Sequence, residues 1–103
     1  MLWIRLTGTA DFATQSAVQA LLSRAHAETI RTRVPEVAVD FTGLELMSSS
    51  CFRCFVSWVS DVRDLPLDQQ YRIRLVCDQA ILWQRRSMHA LKSFADDLIR
   101  IER

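Results

Sequence analysis

A cluster of nucleophilic side chains lies near the middle of the chain, where Ser48, Ser49 and Ser50 are followed by Cys51 and then Cys54. A serine at a helix start can cap the helix, because its hydroxyl accepts a hydrogen bond from an unpaired backbone N–H. A phosphate on such a serine would meet those N–H groups and the positive end of the helix dipole. The same position lowers the pKa of a cysteine and favours a thiolate. The cluster therefore indicates three roles, which are capping, phosphorylation and thiol chemistry.

Other arrangements that support catalysis are missing from the sequence. His26 and His89 are far apart and fit no metal-ligand spacing, so each is interpreted as a helix-surface residue. The adjacent carboxylates of Asp96 and Asp97 point in different directions on a helix. No phosphate-binding loop or nucleophile elbow is present. We therefore predict a protein that is not an enzyme, with no metal and no cofactor.

The elements that must position this cluster alternate along the chain. Strands are predicted at 2–6, 37–47, 71–77 and 99–101, and helices at about 13–29, between Ser50 and Pro66, and before the last strand. The order β-α-β-α-β-α-β predicts an α/β fold with a mostly parallel sheet. The whole chain, 1–103, is expected to form a single domain.

Apolar spacing predicts which side of each element is buried. The second helix has the stripe Phe52, Phe55, Val56 and Val59, and the third has Leu91, Phe94, Ala95 and Leu98. Trp58 lies off the centre of its stripe, which fits either a surface patch or the edge of the core. Asp11 and Asp78 are the predicted N-caps of the first and third helices.

Three strands alternate between apolar and polar residues, although parallel strands covered on both faces are usually apolar throughout. The second face of the sheet would display Trp3, Arg5, Ala38, Asp40, Arg72 and Arg74. We expect helices to cover this face incompletely, or the face to be open to solvent or to a partner.

Two loops follow the carboxyl ends of strands, and ligand sites of parallel sheets are usually found at that edge. The motif residues are Leu6, Gly8 and Asp11 in the first, and Asp40, Gly43 and Met47 before the serine run in the second. Together they resemble the STAS domain, the fold of anti-sigma factor antagonists in bacterial partner-switching systems. The resemblance covers nearly the whole chain, although an N-terminal strand common in the family is missing. It implies a four-stranded, mostly parallel sheet in sequential order with three main helices.

The resemblance implies a regulatory protein-binding module whose partner is an anti-sigma kinase-like regulator. In the family, a kinase phosphorylates the second hydroxyl residue of the turn, which corresponds to Ser50, with Ser49 as the fallback. The implied docking surface comprises Gly8, Asp11, Ser48, Arg53 and Ser57. The chain departs from the motif at three positions, since Ser48 replaces Asp, and Cys51 and Arg53 replace Gly.

Two alternatives remain open. A constitutive scaffold or complex subunit could use the same surface, in which case the serines only cap the helix. A thioredoxin-like thiol oxidoreductase could use Cys51 and Cys54, but a Cys-x-x-Cys pair alone is a weak motif. No Trp precedes Cys51, and neither Pro35 nor Pro66 stands where a thioredoxin cis-proline would.

The charge balance limits the classes of partner. The net charge is +1, from 13 Lys and Arg against 12 Asp and Glu, so nucleic-acid binding is not predicted. No apolar run approaches the ~20 residues of a membrane span, and no secretory leader follows Met1. We therefore expect a cytoplasmic protein with reduced thiols, and a dimer is compatible with these properties.

Overall fold

The structure of the protein is a computed structural model that describes residues 1–102. Its strands are β1 (Leu2–Ala10), β2 (Glu36–Met47), β3 (Arg72–Val76) and β4 (Ile99–Glu102), and its helices are α1 (Gln15–Thr32), α2 (Ser49–Arg63) and α3 (Leu82–Lys92). The predicted α/β class, four strands, three helices and element order are confirmed. All neighbouring strands are parallel, in the sequential order β1-β2-β3-β4.

The three helices lie on one face of the sheet, because α1 contacts α2 and α2 contacts α3. Beneath them the inward side chains of the strands, such as Val39 and Leu75, are fully buried. On the other face Trp3 remains 49% exposed. Arg74 lies there between the carboxylates of Glu36 and Glu102. The alternation in the sequence thus reflects a second face that the helices leave open, as expected, although Ala38, which was expected to be displayed there, is fully buried.

β1 continues beyond its predicted end at Leu6. Gly8 does not break the strand but lies within it at φ +80°, a conformation that glycine adopts without the strain other residues incur. The register with β2 shifts on both sides of this segment. Opposite it, the predicted irregularity at Thr42–Gly43 is confirmed, and a Cβ on Gly43 would lie 3.2 Å from the Leu6 carbonyl oxygen. Glycine therefore allows the two strands to approach closely.

The helix starts differ from two of the predictions. Asp11 caps a 3₁₀ turn (Phe12–Thr14) that precedes α1, since its carboxylate accepts from the Thr14 N–H at 3.1 Å. Asp78 does not cap α3, because its carboxylate accepts from the Ala80 N–H at 2.9 Å and forms a turn. α3 begins only at Leu82, after a longer loop.

The buried stripes are rotated or displaced from the predicted ones. α2 buries Cys51, Phe55, Trp58, Val59 and Val62, whereas Phe52 and Val56 are only half-buried. The predicted stripe of the third helix is confirmed only in part: Leu91 and Ala95 are buried, but α3 ends at Lys92, and Phe94 beyond it is 53% exposed. Besides Leu91, α3 buries Gln84 and Met88.

Gln84, in the first turn of α3, is a fully buried polar residue. Its amide nitrogen donates to the carbonyl oxygens of Phe41, at 2.8 Å, and Leu44, at 3.0 Å. Its amide oxygen accepts from the Asp78 N–H at 2.8 Å. One side chain thus satisfies backbone groups on both sides of the β2 irregularity and before α3.

Within residues 1–102, none of the helices combines the length and the apolar character needed to cross a membrane.

Candidate functional site

The N-terminus of α2 is fastened to the end of β1. Parallel pairing places Ala10 beside Met47, so the chain leaves both strands at the same edge of the sheet. The Ser48 N–H donates to the Ala10 carbonyl oxygen at 2.7 Å, and the Cys51 thiol donates to that of Asp11 at 3.3 Å. The structure therefore brings together the two segments that carry the predicted site.

The serine run forms the first turn of α2. Ser48 is the N-cap, and its hydroxyl oxygen accepts from the Cys51 N–H at 3.2 Å. The Ser48 and Ser50 hydroxyls are also hydrogen-bonded, with their oxygens 3.0 Å apart. Ser49 is exposed and Ser50 is half-buried. The predicted capping role is therefore filled by Ser48, and the next two hydroxyls remain on the surface side of the helix.

A groove of about 310 Å³ separates α1 from α2, and we call it the α1–α2 groove. Three predicted site residues line its α2 side, namely Ser50, Arg53 and Ser57. Their offsets of 0, 3 and 7 place them on one face of the helix. The predicted face of α2 thus forms one wall of the α1–α2 groove. Among the other predicted residues, Ser48 is the adjacent cap, and Gly8 and Asp11 lie outside the groove lining.

The α1 side of the groove was missed in the sequence. It is formed by Gln15, Gln19, Ser23 and His26. The spacing of four residues between the first three could have predicted this wall, because it places polar side chains on one flank of an amphipathic helix. That flank could not be assigned to a site until its neighbour across the groove was known.

The groove has a charge at each end. α1 and α2 both start at the end where Ser50 and Gln15 lie, which adds the positive ends of two helix dipoles to the charge of Arg53. Asp61 lines the opposite end. Eight residues of α-helix separate Arg53 from Asp61, which corresponds to about 12 Å along the helix axis. A bound segment would meet a positive end and a negative end.

The floor of the groove is tied to the core through one tyrosine. The Trp58 indole N–H donates to the Tyr71 hydroxyl oxygen at 2.8 Å, and that oxygen lies 2.7 Å from His26 Nδ1. The Tyr71 hydroxyl thus joins Trp58, which can only donate, to His26, whose tautomer sets the direction of the second hydrogen bond. Burial raises the pKa of Tyr71 well above its usual range. His26, interpreted from the sequence as a helix-surface residue, is half-buried and hydrogen-bonded in the groove.

The two cysteines of the Cys-x-x-Cys pair lie in different environments. Cys51 is fully buried under the Asp11 segment. Cys54 lines the groove, and its thiol donates to the Ser50 carbonyl oxygen at 3.5 Å. Burial, followed by the proximity of Cys51, raises the pKa of the Cys54 thiol. An attacking thiol needs access and a lowered pKa, and neither cysteine combines the two.

This environment predicts slow labelling of Cys54 by a thiol reagent at neutral pH. Since its pKa is raised, the thiolate fraction is smaller than that of a free cysteine, and labelling should accelerate only in alkaline solution. The measurement is the labelling rate of the native protein as a function of pH, with Cys54→Ser as the control that identifies the signal. Faster labelling than a free thiol at neutral pH would contradict this and favour the oxidoreductase alternative.

Hydroxyls, amides, the Cys54 thiol and a few charged groups are the functional groups that line the groove. In the described part of the chain, residues 1–102, no three His, Cys, Asp or Glu side chains are placed to hold a metal ion. No protein-family model, curated protein or solved structure matches the chain. The function is therefore inferred from the geometry of the site and from the motif residues.

Proposed function

We propose that the protein is a non-enzymatic regulatory module with a STAS-like fold that binds a protein partner through the α1–α2 groove. The observation that carries the proposal is that Ser50, Arg53 and Ser57, expected from the motif resemblance, all line this one groove. The parallel sheet in sequential order, with its helices on one face, is compatible with that family. The partner is an anti-sigma kinase-like regulator of a bacterial partner-switching system, and the complex forms in the cytoplasm.

Phosphorylation of Ser50 is the proposed switch. The phosphate would stand in the first turn of α2, where the helix dipole and unpaired N–H groups favour an anion. Arg53 follows one turn later on the same side and can pair with it. About two negative charges would reverse the positive local potential at this end of the groove, to which the partner binds. Ser49, which is exposed beside it, is the second candidate acceptor.

A constitutive scaffold or complex subunit that uses the same groove is the alternative function. The hydrogen bond between the Ser48 and Ser50 hydroxyls favours it, because both side chains already have a partner without phosphate. The thiol oxidoreductase is supported less well, because Cys51 has no access to solvent. The state of the serines in the cell therefore decides between the two binding functions.

Capture of the tagged protein from a bacterial lysate, with mass spectrometry of bait and prey, tests the proposal. We expect a kinase-like regulator among the prey and phosphate on Ser50 or Ser49 in a fraction of the bait. A stable partner with unmodified serines would identify a constitutive module. An Arg53→Glu bait provides the matched control, since a partner that uses the groove should be lost. Equal capture by both baits would exclude the groove as the docking site.

Ser50→Asp and Ser50→Ala are expected to differ in affinity for the captured partner. The aspartate should weaken binding about tenfold or more, because it places a charge in the docking surface, while the alanine should stay close to wild type. Titration calorimetry measures this directly. Ser60→Asp is the control, since Ser60 is exposed on α2 and does not line the groove. Equal affinities for the two Ser50 variants would remove the switch and leave the scaffold.

A further inference from the structure

The two edges of the sheet differ in how they are protected. β4 forms one edge and has only four residues, of which Arg100 and Glu102 are exposed and charged. Short, charged edge strands resist pairing with another chain. β1 forms the other edge with nine residues, contains no proline and carries a single charge, on Arg5. The unpaired backbone groups of β1 therefore remain available to another strand.

Only part of β1 is regular enough to pair. Its register with β2 is continuous from Leu2 to Arg5 and shifts before Thr7. Gly8, at φ +80°, distorts the strand further, and bulges of this kind discourage edge pairing. The strand that can pair thus runs from Leu2 to about Leu6, and its centre is Ile4.

A second copy of this chain fits that segment. In an antiparallel pair with a two-fold axis at Ile4, the residue numbers of opposing positions add up to eight. Leu2 then faces Leu6 of the second copy on the helix side of the sheet. On the open side, the exposed indole of Trp3 faces the guanidinium of Arg5, which is itself 79% exposed. Apolar residues oppose apolar ones, and each cation opposes an aromatic ring, which is a favourable pair.

The flank of α1 above this edge also exposes apolar side chains. α1 contacts the edge strand β1 and meets α2 with Gln19 and Ser23, so its opposite flank faces away from α2, on the side of the β1 edge. Ala17 and Leu21 lie two positions away, about 160° around the helix, and are on that flank. Both are apolar and yet exposed, Leu21 by 38%. A two-fold axis perpendicular to the sheet would place the two α1 helices side by side, with these residues between them.

We propose that two copies of the chain associate through their β1 edges into a continuous eight-stranded sheet, with α1 packed against α1 above the junction. A five-residue strand pair and one helix flank are small compared with the ~1,600 Å² of a standard interface, so the dimer is expected to be weak and reversible. The α1–α2 groove lies on the other flank of α1 and stays open in this dimer. The proposal is therefore independent of the docking function.

Sedimentation velocity of the full chain over a range of concentrations tests the dimer. We expect a reversible monomer–dimer equilibrium, with the dissociation constant raised about tenfold or more by Leu21→Glu and by Trp3→Arg. Trp3→Arg sets two cations opposite each other, and both sites are exposed, so the monomer should keep its circular dichroism. Leu67→Glu is the control, because Leu67 is 87% exposed outside β1 and α1 and should not change the equilibrium.

A covalent test fixes the register. In the double variant Trp3→Cys with Arg5→Cys, each new thiol faces the other new position of the second copy, and mild oxidation should give a disulfide-linked dimer. A wild-type chain that stays monomeric at every concentration would overturn the proposal. So would a dimer that resists both Leu21→Glu and Trp3→Arg, or one that dissociates equally with Leu67→Glu.

Discussion

Replacing Gln84 with leucine is expected to lower the free energy of unfolding by about 3–5 kcal/mol, although the two side chains are similar in size. The substitution leaves the carbonyl oxygens of Phe41 and Leu44 and the N–H of Asp78 without their partner. Each buried polar group left unsatisfied costs about 1–3 kcal/mol. In a chain of this length the melting temperature should fall by roughly 15–30 °C.

Gln79→Leu is the matched control for Gln84→Leu, because Gln79 precedes α3 in the same loop. Its amide makes only a 3.6 Å contact to the Cys77 sulfur, so the loss should stay within about 0.5 kcal/mol. Chemical denaturation of the three proteins gives the comparison. A Gln84→Leu protein as stable as Gln79→Leu would show that the three hydrogen bonds do not hold the β2 irregularity to α3.

Trp58→Ala is expected to destabilise the fold by about 3–5 kcal/mol, because it removes a large side chain that is only 3% exposed. The indole packs against Phe55, with ring centroids 6.3 Å apart, and its N–H is bonded to Tyr71. The loss also leaves the Tyr71 hydroxyl with one hydrogen bond fewer in the core. Denaturant-induced unfolding, followed by circular dichroism, measures the effect.

Phe52→Ala is the matched control for Trp58→Ala, because it shows whether any alanine substitution in α2 destabilises the fold to the same extent. Phe52 lies on the same helix and is only half-buried, so its loss should cost clearly less than that of Trp58. The comparison also distinguishes the two assignments of the buried stripe. A Phe52→Ala protein that is less stable than Trp58→Ala would contradict the burial of Trp58 and favour the stripe that the apolar spacing predicts.

The sequence by itself determined the α/β class, the number and order of the main elements, and a second face of the sheet that helices do not fully cover. These properties follow from local periodicity, since alternation defines a strand with one buried face and a spacing of three and four defines a helix. The sequence also predicted that the serine run lies at the start of a helix. Ser48 caps α2 because a hydroxyl before an apolar helix satisfies a free N–H wherever the helix packs.

The tertiary structure decided what depends on neighbours that are distant in sequence. Trp58 is buried because Tyr71, thirteen residues later, offers its indole a hydrogen-bond partner. Gln84 is buried because the irregularity in β2 leaves carbonyl groups that only a side chain from α3 can reach. Ala17 and Leu21 stay exposed because α1 lies over an edge strand and has a neighbouring helix on only one flank. Local spacing identifies an apolar stripe, but the partners that bury it are defined only by the fold.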